Sequence, residues 1–186
     1  MTLRAVFYAF FVLALSSTFF WVGHVWAGGD QDNHHASQFK NYAMFSYSEF
    51  ERKIPGSRDA TGDGLIATYG YQFNAHIDLE ASIGDYDYDT VKLGGRDVDG
   101  VKAKTLEASA LFKSHVSKTF TPFAMIGVIY VDRDIPNPYD DSSLEPYLGV
   151  GLDIRINERW DIRASFKPVR GEVNADVYSI GPKYRF

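Results

Sequence analysis

The 186-residue chain contains no cysteine, so neither a disulfide nor a thiol-linked lipid anchor is available and the fold must rest on strand pairing and packing. Beyond Val22 it also lacks any apolar run that approaches the roughly 20 residues of a membrane-spanning helix. A mean hydropathy of −0.22 agrees, and together they exclude a helical membrane protein. Basic residues are in deficit, 19 Lys and Arg against 24 Asp and Glu for a net charge of −5. That removes the electrostatic case for nucleic acid. Still open is a membrane protein made of strands, which hides its lipid-facing residues by alternation and escapes a hydropathy test.

What is present begins with an export signal. Met1 to Ala27 holds one basic residue, Arg4, then the acid-free apolar stretch Ala5 to Val22, then Val25-Trp26-Ala27 with small or branched residues where a signal peptidase reads. This pattern predicts cleavage after Ala27. A retained anchor helix is the alternative, but the Gly28 to Ser37 stretch is polar and lacks the basic cluster of a stop-transfer segment. Loss of the signal removes only Arg4 among charged residues, leaving 18 bases against 24 acids. The expected organisation is a signal over 1–27, a short polar segment over 28–38 and one domain over 39–186.

Turn signals divide that domain into eight alternating segments, predicted over 39–52, 62–73, 77–89, 101–113, 119–132, 144–156, 160–169 and 175–186. Successive side chains of a strand point to opposite faces. In the sixth segment one face reads Leu144, Pro146, Leu148, Val150, Leu152, Ile154, Ile156 and the other Glu145, Tyr147, Gly149, Gly151, Asp153, Arg155. The seventh divides likewise, Trp160, Ile162, Ala164, Phe166 against Asp161, Arg163, Ser165, Lys167. One face suits lipid and the other a polar lumen. The fifth, apolar on both faces, is oriented by its likeness to the sixth, which puts Pro122, Ala124, Ile126, Val128 and Tyr130 outside. The first is ambiguous, and Ala43, Phe45 and Tyr47 are assigned outward.

Connectors alternate between short (around 74–76, 114–118 and 157–159) and longer, with Gly, Pro and Asp enriched in the long ones. Short inner turns and long outer loops are the membrane-barrel arrangement. Phe73, Phe112, Phe120, Trp160, Tyr184 and Phe186 fall at the short-turn end, and Tyr47, Tyr130, Phe166 and Tyr178 towards the other, as two interfacial girdles would. The closing strand keeps period two back from Phe186 through Tyr184, Pro182, Ile180 and Tyr178. A terminus that ends on such a strand must be paired. A soluble lipocalin-like barrel is the alternative, and it would need an apolar interior where this chain carries Gly, Ser and charges of both signs.

On EPYLGVGLDIRI, on WDIRASFKP after a tight turn, and on the closing SIGPKYRF, the chain resembles the small outer-membrane β-barrels of the OmpA/OmpX type, including the opacity-like surface antigens. The resemblance implies an all-β, eight-stranded antiparallel up-and-down transmembrane barrel in a Gram-negative outer membrane. It further implies contact with lipid and lipopolysaccharide, and a final strand (Phe186, Tyr184, Ile180, Tyr178) read by the barrel-assembly machinery. Pro182 departs from the usual bulky residue there. Proline cannot donate to a ladder, so Pro182, Pro146 and Pro122 are expected at bulges or barrel ends.

No catalytic constellation stands out, and neither an enzyme activity nor a cofactor is expected. His115-Val116-Ser117 is similar to the His-x-Ser pair of outer-membrane lipid A deacylases, yet it lies in a turn at the inner end while those enzymes act at the outer leaflet. The competing reading of the chain as a lipid-modifying enzyme rests on that pair. His34-His35 alone makes no defined metal site. Asp85, Asp87 and Asp89 alternate along one strand edge and could take a hard cation, but Thr90 and Arg96 stand where an EF-hand loop needs Gly and Glu. A solvated acidic loop, or cation bridging to lipopolysaccharide phosphates with Arg96, Lys102 and Lys104 beside it, are the other readings. An eight-stranded barrel is just filled by side chains, so wide transport is excluded. The expected role is that of a monomeric structural or surface-interaction protein, with a host or surface ligand held by the outer loops.

The sixth and seventh segments fix a register. Ile156 and Trp160 must both face lipid, so Asn157, Glu158 and Arg159 form the turn. Counting back then sets Arg155 opposite Asp161 and Asp153 opposite Arg163, two lumenal pairs of opposite charge.

Overall fold

The computed structural model describes residues 39–52, 60–88, 91–93, 96–98, 102–114, 116–134, 141–171 and 174–186. The signal and spacer readings, His34, His35, Asp89 and His115 lie outside them. Ten strands follow in order: β1 (Asn41–Arg52), β2 (Ala60–Gln72), β3 (Ile77–Tyr88), β4 (Val91–Leu93), β5 (Arg96–Val98), β6 (Lys102–Lys113), β7 (Phe120–Asp134), β8 (Asp141–Arg155), β9 (Trp160–Val169) and β10 (Ala175–Arg185). Eight close into an antiparallel barrel in the order β1-β10-β9-β8-β7-β6-β3-β2, and β4 and β5 form a separate two-stranded ribbon. That ribbon lies in the long connection between the third and fourth predicted segments.

Alternation places β1, β2, β3, β6, β7, β8 and β9. Phe45, Leu65, Ile83, Leu106, Ile126, Leu148 and Ile162 point outward and are exposed, while Met44, Ile66, Ser82, Glu107, Met125, Tyr147 and Arg163 point inward and are buried. The ambiguous β1 has Phe45 and Tyr47 outside, as assigned. A one-residue slip would invert each strand, so an outer face that meets lipid and an inner face that cannot pin the register together.

Each short turn is stapled by its own side chain. The Asn74 Oδ1 accepts from the amides of His76 and Ile77, both at 2.8 Å. The Ser117 Oγ accepts from Phe120 at 2.9 Å, and the Asn157 Oδ1 from Arg159 and Trp160, both at 2.9 Å. Such side-chain turns compete with continued strand and end it cleanly. The seam between β1 and β10 is closed by Asn41 and Phe186, whose amides and carbonyls pair in both directions at 2.9 and 3.3 Å.

Pro122 sits at the inner end of β7, one residue past its last pair with β6, and Pro146 lies within β8, one residue past its last pair with β9. Pro182 instead falls between two paired blocks. Pairing between β1 and β10 runs to Met44↔Lys183 and resumes at Tyr47↔Ile180, three residues on along both strands. No extra residue is inserted, so there is no bulge; with no N–H to donate, Pro182 interrupts the ladder while leaving its register intact.

Candidate functional site in the lumen and at the outer rim

The lumen has two contrasting halves. Nearest the short turns, the β8 and β9 register pairs Asp153 with Arg163 and Arg155 with Asp161. The Arg163 guanidinium grips Asp153 with two hydrogen bonds, Nε to Oδ1 at 2.6 Å and Nη2 to Oδ2 at 2.8 Å, the fork geometry that suits a carboxylate. Its remaining nitrogen reaches across the barrel to Glu80. Lys183 of β10 donates to Asp153 at 2.8 Å, and Lys113 lies 2.6 Å from Asp78. Tyr42 donates to Asp78 at 3.2 Å and to Glu80. Three carboxylates and three cations therefore share one buried layer, with the Phe123 ring 4.5 Å beneath the Arg163 guanidinium. Gly70 of β2 makes the layer possible, since a Cβ there would strike the Tyr42 ring.

The second pair is looser. Arg155 is 3.9 Å from Asp161, and the nearer partner of Asp161 is Arg185, from the closing strand. One level towards the long loops, Lys167 donates to both oxygens of Glu107 at 2.9 and 2.7 Å. Sequence reasoning missed this pair, and with it Glu80, Asp78, Lys113, Tyr42 and Lys183.

Towards the long loops apolar side chains dominate the lumen, with Glu145, Asp176, Ser143 and Thr105 also buried there. Phe50, Ile66, Tyr86, Ala103, Ile129, Val131, Val169 and Val177 pack as one buried cluster, with Phe50 and Tyr86 in edge-to-face contact at 5.4 Å. The lumen is therefore mixed at that end rather than purely polar. Between the halves lies a cavity of ≈ 20 Å³ bordered by Ser46, Thr68, Ser165 and Ser179, room for about one water.

At the outer rim Asp85 and Asp87 point outward and are exposed. Asp85 lies opposite Lys104 and Asp87 opposite Lys102, with Lys102 3.4 Å from Asp87; Lys104 also faces Asp132. Carboxylates and lysines thus alternate across β3, β6 and β7, so Lys102 and Lys104 each have carboxylate neighbours. Among the described residues no group of three or more metal-binding side chains comes together. In the wall, the Trp160 and Tyr184 rings meet tilted at 4.8 Å and Phe186 lies 6.3 Å from Tyr184. Ile180 shares that outward face, and Tyr178 is largely covered because the Phe166 ring packs 4.8 Å from it.

A closed barrel with an apolar outer wall, aromatic rings at its inner end and a filled lumen defines a small transmembrane β-barrel. Exposed Phe45, Leu65, Ile83 and Leu148 rule out the soluble-barrel alternative. Residues 8–186 match the outer membrane protein β-barrel domain, and the chain belongs to that family, resident in the Gram-negative outer membrane. Among solved structures it is similar to Ail, the attachment invasion locus protein of Yersinia pestis, at 15% identity and a TM-score of 0.59, covering 80% of this chain and 99% of that one. It is similar to Neisserial surface protein A at 18% identity and a TM-score of 0.58, covering 78% and 97%. OprG from Pseudomonas aeruginosa gives 18% identity and a TM-score of 0.52, covering 80% and 96%. A search of the curated proteins found no match.

Proposed function

We propose that the chain is a non-catalytic outer-membrane protein whose barrel is a sealed pedestal and whose long-loop end makes contacts outside the cell. The filled lumen carries this reading: ion pairs crowd the half nearest the short turns, and mainly apolar side chains crowd the half nearest the long loops. A barrel that passes nothing leaves its outward loops as the working surface. The likeness to Ail supports the same direction. Ail is also known in complex with the heparin analogue sucrose octasulfate. Here the net charge is −5 and the rim lysines face carboxylates, so a neutral or basic partner suits this chain better than a sulfated polyanion. The test is surface display of the chain with residues 53–59 and 135–140 each replaced by a short turn. Binding to cells or matrix should fall while the barrel still assembles; undiminished binding overturns the reading.

Export completes the proposal. The signal is removed between Ala27 and Gly28, and N-terminal sequencing of the membrane form checks it, with retained Met1 as the contrary result. Tyr178, Ile180, Tyr184 and Phe186 act as the signal for barrel assembly, and the folded protein works as a monomer without a cofactor. Deleting Phe186 should reduce assembled barrel in cells more than refolding in detergent; equal losses would point to packing alone. The lipid-modifying alternative predicts a change in lipid A acyl composition on expression, and the sealed pedestal predicts none.

A further inference from the structure

The β1–β10 seam is the one junction of the barrel that joins the two ends of the domain, so no connecting loop holds it. It is also broken, between Met44↔Lys183 and Tyr47↔Ile180, at Pro182. The strands are tight there, since a Cβ on Gly181 would strike the Phe45 carbonyl oxygen and the Ser46 Cα, but their hydrogen bonding lapses. Beside the break, in the paired block nearest the short turns, Lys183 of β10 sits 3.9 Å from the centre of the Tyr42 ring of β1, close enough for a cation–π contact. Both members are tied to other strands. Lys183 donates to Asp153 of β8 at 2.8 Å and lies 3.9 Å from Asp78 of β3. Tyr42 donates to Asp78 and Glu80 of β3. Both are buried, so these contacts act where water does not screen them.

We propose that Lys183 and Tyr42 form a latch that holds the β1–β10 seam shut beside the lapse at Pro182. The ladder elsewhere is backed by turns; here side chains take over what one missing N–H gives up. Lys167, equally buried but paired with Glu107 between β9 and β6, has no part in the seam.

Amide hydrogen exchange on the folded full-length barrel in nanodiscs tests the latch, reading the β1 and β10 amides flanking the break against those of the β6–β7 junction. Lys183→Met should speed exchange at the seam about tenfold or more relative to that internal reference, because a junction with a lapse in its ladder opens before one whose ladder is continuous. Tyr42→Phe keeps the ring and removes only the hydroxyl, so it folds where Lys183→Met fails to, and should shift the seam in the same direction by less. Pro182→Val supplies an N–H and should restore protection in either background. Lys167→Met is the control and should leave the ratio of seam to reference unchanged. An unchanged ratio in both Tyr42→Phe and Lys183→Met, an equal seam effect from Lys167→Met, or no rescue by Pro182→Val overturns the latch.

Discussion

The two halves of the lumen fill similar space by opposite chemistry. In the half nearest the short turns, charges from β3, β6, β8, β9 and β10 neutralise one another, and each is useful only if every partner arrives. In the outer half, Phe50, Tyr86, Ile129, Val131 and Val169 need only to be apolar and of fitting size. Ionic packing is unforgiving: removal of one partner leaves another buried and unpaired. Apolar packing degrades in proportion to the volume lost. The inner half thus sets which strands meet and in what register, and the outer half adds burial that does not depend on partner identity. Because the outward residues pass from lipid to lipid, the lumenal apolar cluster is where hydrophobic packing inside the protein still contributes.

That contrast orders four expectations for reversible unfolding in lipid. Arg163→Ala should have the largest effect, about 3–5 kcal/mol, since Asp153 and Glu80 are both stranded. In the cycle with Asp153→Ala the double change should cost less than the sum of the singles, and strict additivity would break the assigned pairing. In the apolar half Ile129→Ala should cost about 2–5 kcal/mol, scaling with the cavity left. Unlike Arg163→Ala, it should be relieved by any side chain that refills the volume, such as Val or Met. On the outer wall Ile126→Arg should cost about 2–4 kcal/mol near the membrane midplane; an unchanged midpoint would invert the inside and outside assignments. At the rim Lys102→Ala should cost about 0–1 kcal/mol, and the effect should vanish in high salt, because the pair with Asp87 is exposed.

Legibility in the sequence followed distance along the chain. Asp153 and Arg163 are ten residues apart across a turn, so counting from that turn aligns them and lipid exposure on the other face fixes the count. Arg163 and Glu80 are separated by 83 residues, Lys167 and Glu107 by 60 and Lys183 and Asp153 by 30. Such pairs depend on how the barrel closes and on which level of the lumen each residue reaches, and period two encodes neither. Asp161 shows the boundary: its neighbour-strand partner Arg155 was readable, whereas its nearer partner Arg185 was not. The apolar outer half was partly visible in β7, whose two apolar faces left one set of side chains with nowhere to go but inward. The β4–β5 ribbon was not legible, because three-residue strands are too short for alternation to register.

Conductance across a planar lipid bilayer bears most directly on the central claim that the lumen is sealed at two levels. The folded full-length protein should give no steady current steps of the size a water-filled pore produces. Arg163→Ala alone should not create them, because the apolar half remains closed. Long-lived, uniform open steps from the unaltered protein would contradict the sealed barrel and the pedestal role that rests on it.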